Sequence, residues 1–304
     1  MAEAGLGPLA PAVARRGGRV AFVLRFADTN LWRAELTGTK PPRALTNTPQ
    51  LDTSPQIAPN GDIAFRSNRS GTNEVWLLTG GHARKLTAMN GPVTGSARWS
   101  PDGKRLVFDS RPSNHGDLFL LPASGGTPQR LTEEPSNEAV PSWSHDGQAI
   151  YFASDRTGDW EVFRMPAVGG AAERLTSQGG FAPFASRDGR WIYYAKRTGD
   201  GGLWRRRLSE PGAREERVAP LTPNFWGQWA LGAKGLFYAV FSVEGAKAIR
   251  RLDLASGQTR DVVMLDRMPV QFDSGMAVAP DEAWLCWSQL DAAGSDIYVM
   301  DGAR

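Results

Sequence analysis

The sequence predicts an all-β fold, and three observations favour this class. Glycine (34 residues) and proline (21) are spread along the 304-residue chain, as many short strands joined by turns require. Trp (11) and Phe (13) are numerous, and such rings suit the half-buried faces of sheets. A strand-rich unit of 42 to 47 residues recurs, and no sustained period of 3.6 residues indicates helices. Units of this length hold four antiparallel strands, and radial packing of such sheets predicts a β-propeller.

Each unit opens with a tight-turn cassette. Three cassettes are nearly identical, at residues 99–103 (WSPDG), 143–147 (WSHDG) and 185–189 (ASRDG), and 57–61 (IAPNG) differs mildly. Asp-Gly or Asn-Gly between apolar runs predicts a hairpin, because both residues tolerate positive φ. The cassettes end, in chain order, at Gly17, Gly61, Gly103, Gly147, Gly189, Gly235 and Glu282.

The same elements follow each cassette. A strand that ends in an aromatic residue, as in 105–108 (RLVF), leads to a polar loop and an alternating strand such as 161–163 (EVF). A glycine-rich turn then leads to a closing Leu-Thr pair. These pairs are Leu45-Thr46, Leu86-Thr87, Leu131-Thr132, Leu175-Thr176 and Leu221-Thr222. Each unit therefore supplies the four strands of one blade.

The number of cassettes predicts seven four-stranded blades. A six-bladed ring with one divergent unit is the alternative, because the sixth unit has a longer turn at residues 229–235. The last unit ends at Arg304 without a Leu-Thr strand, so its outer edge needs cover. We expect the N-terminal segment 1–10, with a strand near Gly5 to Leu9, to close the last blade. Residues 11–304 are expected to form a single propeller domain.

These repeats resemble the WD-repeat-like family of TolB-type propellers, whose unit reads roughly W-S-P-D-G-x-x-I-x-F-x-S…I-Y…L-T. Residues 99–108 and 143–152 match that unit closely. The likeness is closest to the C-terminal propeller region of CadC/ToxR-like winged-helix transcriptional regulators, in segments 27–32, 94–100 and 295–299. The resemblance implies a sensory or protein-binding part of a bacterial regulator, often placed beyond a membrane helix. It transfers no functional residue, because the matching positions are architectural.

Composition excludes several classes of function. The net charge of +3 does not demand a nucleic-acid or membrane partner, and the longest apolar stretch, 236–243, is too short to span a bilayer. Cys286 is the single cysteine, so an internal disulfide and a cysteine-based zinc site are excluded. The three histidines occupy different repeat positions, so we expect no metal and no cofactor. We expect a monomer. The compartment stays open, with the periplasm expected if the chain is part of a longer membrane-anchored regulator.

One column of residues precedes the innermost strands. Asp52, Thr94, Glu138, Gly180 and Asp273 each stand three residues before a small, proline or methionine position. In a propeller this column faces one mouth of the central tunnel, where three carboxylates would bind a cation or a cationic peptide. The preferred interpretation is that each carboxylate accepts backbone hydrogen bonds from its own loop.

Aromatic residues cluster in the connections into the fifth and sixth units. They are Phe181, Phe184, Phe225, Trp226 and Trp229. Aromatic rings exposed on a propeller face would anchor a peptide, whereas Phe184 and Trp229 lie in strands and suit burial between blades. Trp226, beside Gly227, is expected to be exposed. The predicted tunnel-mouth binding site therefore comprises Asp52, Thr94, Glu138, Phe181, Trp226 and Asp273.

The sequence holds no catalytic constellation. Neither a Gly-x-Ser-x-Gly elbow nor a P-loop is present, and no spacing singles out a carboxylate pair. We expect a non-enzymatic propeller that recognises a protein, a peptide or a small ligand, as the sensory part of a regulatory or cell-envelope system. One alternative is an accessory propeller of a prolyl oligopeptidase-like hydrolase. Another is a propeller lyase or glycosidase acting at the tunnel mouth.

Overall fold

A computed structural model describes residues 8–13, 19–37, 40–91, 93–112, 115–199, 201–210, 212–241 and 247–300 of the chain. These residues form six antiparallel sheets, so the predicted all-β propeller is confirmed. Within them the only helical element is a 3-10 turn at Pro223–Phe225, and no helix is long and apolar enough to cross a membrane.

The strands follow the predicted repeat. The chain begins with β1 (Pro8–Val13), β2 (Val20–Glu35) and β3 (Arg43–Ala44). Blade 2 is β4 (Asp52–Ile57), β5 (Ile63–Ser67), β6 (Glu74–Thr79) and β7 (His82–Lys85), and blade 3 is β8 (Thr94–Trp99), β9 (Arg105–Ser110), β10 (Asp117–Pro122) and β11 (Gln129–Arg130). Blade 4 is β12 (Glu138–Trp143), β13 (Ala149–Ser154), β14 (Glu161–Pro166) and β15 (Glu173–Arg174), and blade 5 is β16 (Phe181–Ala185), β17 (Trp191–Ala195), β18 (Leu203–Arg207) and β19 (Glu216–Ala219). Blade 6 is β20 (Trp229–Leu231), β21 (Gly235–Phe241), β22 (Lys247–Asp253) and β23 (Thr259–Met264), and the chain continues with β24 (Met276–Val278) and β25 (Trp284–Met300).

The ring has six blades, so the prediction of seven is wrong and the six-bladed alternative fits. Blade 1 takes its two inner strands, β24 and β25, from the last unit and its two outer strands, β2 and β3, from the first. Strand β2 pairs with β25 continuously, from Val20 opposite Met300 to Glu35 opposite Trp284. Each of these units lacks two strands and has an open edge, and pairing the two half-sheets satisfies both edges. The first cassette therefore does not mark a blade of its own.

The expected closing segment near Gly5 to Leu9 lies partly outside the described residues. Within the described residues, β1 pairs antiparallel with the first part of β2, from Pro8 opposite Leu24 to Val13 opposite Val20. The outer edge of blade 1 itself is covered by β3, which pairs with β2 at Trp32 and Arg33. The closure of the ring within the described residues thus depends on β2 and β3.

A bulge recurs in four inner strands. Ser54, Ser96, Val140 and Ala182 have φ angles of 54°, 49°, 51° and 50°, and the register with the second strand shifts at the same step. Positive φ is uncommon for residues other than glycine, and a bulge bends its strand and increases the local twist. The four inner strands therefore bend at one level, next to the axis of the ring.

The hydrophobic core is a series of layers between neighbouring blades. One layer joins Val75 and Leu77 of blade 2 to Leu106 and Phe108 of blade 3. The aromatic residue predicted near the end of each second strand is buried in such layers. These residues are Phe65, Phe108, Phe152, Tyr194 and Phe237. Burial of each of these aromatic side chains stabilises the fold by about 2–3 kcal/mol. A single sheet would leave them exposed, so each blade depends on its neighbours for stability.

Candidate functional site

The Asp-Gly cassettes build turns. The Ser186 hydroxyl donates a hydrogen bond to Asp188 (2.6 Å) and accepts one from the Trp191 N–H (2.9 Å). Asp188 also accepts from the Arg190 N–H at 3.0 Å. These bonds, chiefly the one from Ser186, lower the pKa of Asp188 to about 2. The cassette carboxylates are therefore committed to the local turn and serve the fold.

The three carboxylates of the predicted column are buried, and each is bound to an arginine. Asp52 lies 2.6 Å from Arg69, and Glu138 lies 3.1 Å from Arg156. Asp273 lies 2.7 Å from Arg66 of blade 2. The predicted backbone bond is present at Asp273, which accepts one from the Ser274 N–H at 2.7 Å, whereas Asp52 and Glu138 accept bonds from side chains.

Serine and threonine hydroxyls complete these environments. Ser136 and Ser154 donate to Glu138, at 2.6 and 2.9 Å, and Ser54 donates to Asp273 at 2.5 Å. Thr94 is fully buried and shares a 2.7 Å hydrogen bond with the Ser110 hydroxyl. No group of three His, Cys, Asp or Glu residues in the described part of the chain is arranged to hold a metal ion. The column is therefore a neutralised layer at the start of the inner strands.

A different set of side chains meets at the end of the central tunnel where the inner strands begin. We call this end the loop mouth. The guanidinium of Arg197 lies 4.3 Å from the ring centre of Phe181 and 5.8 Å from those of Trp160 and Trp226. Phe181 contacts Trp160 and Trp226 edge to face, at 5.0 and 4.6 Å. We call these four residues the Arg197 cluster. Cation–π contacts of this kind stabilise by about 0.5–2 kcal/mol each, more when the cation is desolvated.

The predicted exposure of Trp226 is wrong. The residue is only 6% exposed, because its ring packs against Phe181 beneath the guanidinium of Arg197. The 3-10 turn Pro223–Phe225 directly precedes Trp226 in the connection to blade 6. Its indole N–H has no hydrogen-bond partner among the described residues. Trp226 therefore packs within the Arg197 cluster and does not project from the surface.

Arg197 carries a charge that no carboxylate neutralises within the described part of the chain. Burial and the nearby charge of Arg111 lower the pKa of its guanidinium. Arg111 and Arg197 occupy equivalent positions after the second strands of blades 3 and 5, where they follow Ser110 and Lys196. Blades 2 and 4 have Asn68 and Asp155 there, and these side chains accept backbone N–H bonds at 3.0 and 2.7 Å. At this position a residue that binds a backbone N–H alternates with an arginine from blade to blade. This alternation is visible in the sequence and would have pointed to Arg197.

The remaining candidates do not converge on this mouth. His82 and His115 are exposed in a strand and a loop, and His145 lies in a cassette at the other end of the ring. Cys286 is fully buried, and desolvation raises the pKa of its thiol. These four residues offer no shared chemistry at the loop mouth.

The fold and this mouth together define a class, a six-bladed propeller with an arginine–aromatic cluster at one end. Residues 75–225 match the family described as the TolB beta propeller domain. These residues are therefore similar to a TolB-type β-propeller domain, which confirms that part of the resemblance. The CadC/ToxR-like likeness stays a prediction. None of the curated proteins matches the chain.

Solved structures share the fold. A protein assigned as TolB from Agrobacterium tumefaciens is 20% identical, with a TM-score of 0.70, and the match covers 88% of this chain and 99% of that one. TolB from Acinetobacter baumannii is 17% identical, with a TM-score of 0.59 over 93% of this chain and 66% of that one. A puromycin-hydrolyzing peptidase from Mycobacterium tuberculosis is 15% identical, with a TM-score of 0.56 over 84% of this chain and 45% of that one. At such identities the likeness shows the fold alone.

Proposed function

We propose that this chain is a non-enzymatic propeller that recognises a protein or peptide partner at the loop mouth. The observation that carries the proposal is Arg197, a partly desolvated cation in contact with three aromatic rings and without a carboxylate partner in the described residues. Arginine and tryptophan are the residues most enriched in the energetic centres of protein interfaces. The fold already removes part of the water around the Arg197 guanidinium. An acidic side chain of a partner would therefore bind it at a smaller desolvation cost.

The state of the carboxylates supports binding over catalysis. A general acid or base must exchange its proton with a substrate. Asp52, Glu138 and Asp273 are buried, and each is held by a short contact with an arginine. They are therefore better suited to fixing the inner strands than to transferring protons.

The proposal includes a setting in a bacterial regulatory or cell-envelope system. The resemblance of the repeats to CadC/ToxR-like regulators supports this setting. A periplasmic location follows only under that setting. A monomeric state and a small-molecule ligand stay predictions.

Affinity capture tests the proposed interface. Immobilised wild-type chain is incubated with extract of the source organism beside two variants, Arg197→Met and the exposed-site control Arg164→Met. We expect a partner that the wild type and Arg164→Met retain and that Arg197→Met binds about 30-fold more weakly, as loss of an interface hot spot predicts. Unchanged melting temperatures would show that all three chains fold. Equal binding of the partner by all three would contradict the loop-mouth interface.

The accessory propeller of a hydrolase is the second candidate. The likeness to the puromycin-hydrolyzing peptidase supports it, since this chain spans 45% of that structure. That role requires a catalytic domain supplied by a longer chain or by a separate protein. Capture of a hydrolase whose binding survives Arg197→Met would favour this candidate. The lyase or glycosidase alternative requires turnover by the isolated chain.

A further inference from the structure

The opposite end of the ring, where the inner strands end in the cassettes, holds a cavity of 290 Å³. We call it the turn-mouth funnel. All six blades line it, through residues that include Gln56, Trp99, Trp143, Phe184, Leu231 and Val278. Its lining includes the cations Arg98 and Arg187 and, among the residues that the structure describes, no aspartate or glutamate. The funnel is therefore apolar in its walls and positive in its charge.

Arg98 is the buried cation of this funnel. It lies on β8, is 3% exposed, and places its guanidinium carbon 5.2 Å from the ring centre of Phe184, two blades away. Its Nη1 donates to the Ala97 carbonyl at 3.3 Å, and its Nε has no hydrogen-bond partner among the described residues. Burial lowers the pKa of this guanidinium to about 10, so it stays charged at neutral pH. A guanidinium has five N–H donors, and the bond to the Ala97 carbonyl uses one of them.

Two carboxylates interact electrostatically with Arg98, but other residues bind them. Asp273 interacts with it electrostatically but is held by Arg66 and Ser54. Asp109, also felt at Arg98, accepts a hydrogen bond from the Val140 N–H. No carboxylate forms an ion pair with Arg98 within the described ranges of the chain. A buried charge without a partner is costly, which is a reason to look for its partner outside the protein.

A second buried polar atom belongs to a residue that lines this cavity. The hydroxyl of Ser142 is buried, lines the funnel and makes no hydrogen bond to a described residue. The indole N–H groups of Trp99 and Trp143 are already bound to backbone carbonyls, at 3.2 and 3.0 Å. Two buried donors of lining residues, Nε of Arg98 and the hydroxyl of Ser142, therefore have no partner among the described residues, and charge-assisted bonds from such donors suit an anion.

We propose that the turn-mouth funnel binds a carboxylate through Arg98, with the apolar part of the ligand against Trp99 and Phe184. A planar guanidinium matches a carboxylate in a two-bond geometry, and aromatic walls favour an attached apolar group. The cavity admits only a small group, so the carboxylate belongs either to a small organic acid or to the C-terminus of a peptide. This site lies at the other mouth from the Arg197 cluster and does not depend on the proposed protein interface.

Four probes test the ligand class. Phenylacetate and its neutral analogue phenylacetamide represent the small acid. The peptide acetyl-Gly-Phe with a free C-terminus, and the same peptide amidated, represent the chain end. Dissociation constants are measured by calorimetry and ligand-observed NMR. We expect at least one acid to bind at least about tenfold more tightly than its amide. Preference for phenylacetate alone identifies a small acid, and preference for the peptide acid alone identifies a C-terminus.

Arg98→Met supplies the matched variant, with Arg164→Met as the control. We expect Arg98→Met to lose the preference for the acids, and Arg164→Met and Arg197→Met to keep it. Arg98→Lys keeps the charge without the two-bond fork, so it should retain only part of the preference and serves if the methionine variant does not fold. Equal binding of acids and amides, retention of the preference by Arg98→Met, or no binding of any probe at ~10 mM would overturn the site.

A stability measurement separates this site from a structural role. If Arg98 served only to balance Asp109 and Asp273, Arg98→Met would lower the melting temperature of the ligand-free chain. We expect that temperature to stay unchanged or to rise, because the variant removes a buried cation that has no ion-pair partner. A clear fall, together with unchanged acid preference, would assign Arg98 to the fold.

Discussion

Single arginines decide which charges in this ring are available to a ligand. Arg66, Arg69 and Arg156 each bind a buried carboxylate, and removing one of them would leave an uncompensated charge at a cost of about 3–5 kcal/mol. Arg98 and Arg197 instead contact aromatic rings and lack a carboxylate partner among the described residues. The first three therefore belong to the fold, and the other two mark the two mouths as places where an anion would be stabilised.

At the same scale, Asp188 gives a pH-dependent prediction. Its pKa in the folded chain is about 2, below the ordinary value of 3.8, so its ionised form stabilises the fold above pH 3.8. This contribution is lost as the pH falls from 3.8 through about 2. We expect Asp188→Asn to be less stable than the wild type at pH 6, with the difference shrinking towards pH 2. Urea unfolding across this range measures it.

The matched control for that experiment is Asp159→Asn, at an exposed loop position. Its stability should follow the wild type at every pH. A difference between wild type and Asp188→Asn that stays constant down to pH 2 would contradict the assigned role of the ionised carboxylate.

At the scale of the strand, the closing Leu-Thr pair has a defined task. The hydroxyl of Thr176 accepts a hydrogen bond from the Val162 N–H (2.8 Å) and donates one to Glu161 (2.5 Å). Thr87 makes the same pair of bonds in blade 2, with Val75 and Glu74 at 2.9 and 2.5 Å. The fourth strand is short in several blades, so this threonine joins the outer edge of a blade to its third strand.

We predict that Thr176→Val lowers the free energy of unfolding by about 1–3 kcal/mol. The valine keeps the shape but leaves the buried Val162 N–H without its partner, and an unsatisfied buried group costs that much. Glu161 loses the bond from Thr176 but keeps those from Arg174 and the Gly179 N–H. Chemical unfolding followed by tryptophan fluorescence measures the loss. Thr198→Val, at an exposed position, should change the stability by less than about 0.5 kcal/mol. Equal effects of the two variants would show that the hydroxyl bridge is unimportant.

The features that could be predicted from the sequence are the local ones. Asp-Gly turns, aromatic-ended strands and Leu-Thr pairs lie within a few residues of one another, so the repeat shows them directly. The bulge at Ser54 and Val140 depends on the twist of the whole inner strand, and only the proline after each hints at it. The Arg197 cluster could not be predicted as a unit, because Trp160 and Trp226 come from different connections and meet only when the blades pack.

At the scale of the whole molecule, counting cassettes gave one blade too many because a ring can close inside a blade. The sequence shows seven cassettes, but it does not show that the first and last units are halves of one sheet. Their pairing is set by the open edges of β25 and β2 and by burial of Leu285 and Trp287 against blade 6. Such long-range pairing leaves no local trace.

We predict that deleting residues 1–36, which removes β1 and β2, prevents folding of the ring. The deletion leaves β25 unpaired and exposes the layer around Leu285 and Trp287, so the chain should aggregate or lose its cooperative thermal transition. Circular dichroism and size-exclusion chromatography test this.

Deletion of residues 1–13 is the control, because it keeps both β2 and β3. It should leave the transition in place. Recovery of folding when a peptide of residues 19–47 is added to the chain without residues 1–36 would support the closure further. A wild-type melting temperature for that shortened chain would show that blade 1 is closed in another way.

The pairing of β2 with β25 also governs how the chain reaches its native state. Val20 and Met300 are neighbours in the sheet although 280 positions separate them along the chain. Contacts of such separation slow folding, since the entropy of a very long loop is lost before the contact forms. As the protein is synthesised, β2 emerges before β25 and keeps an unsatisfied edge until β25 has left the ribosome. Protection of that edge in the nascent chain is therefore a requirement that this closure imposes on the cell.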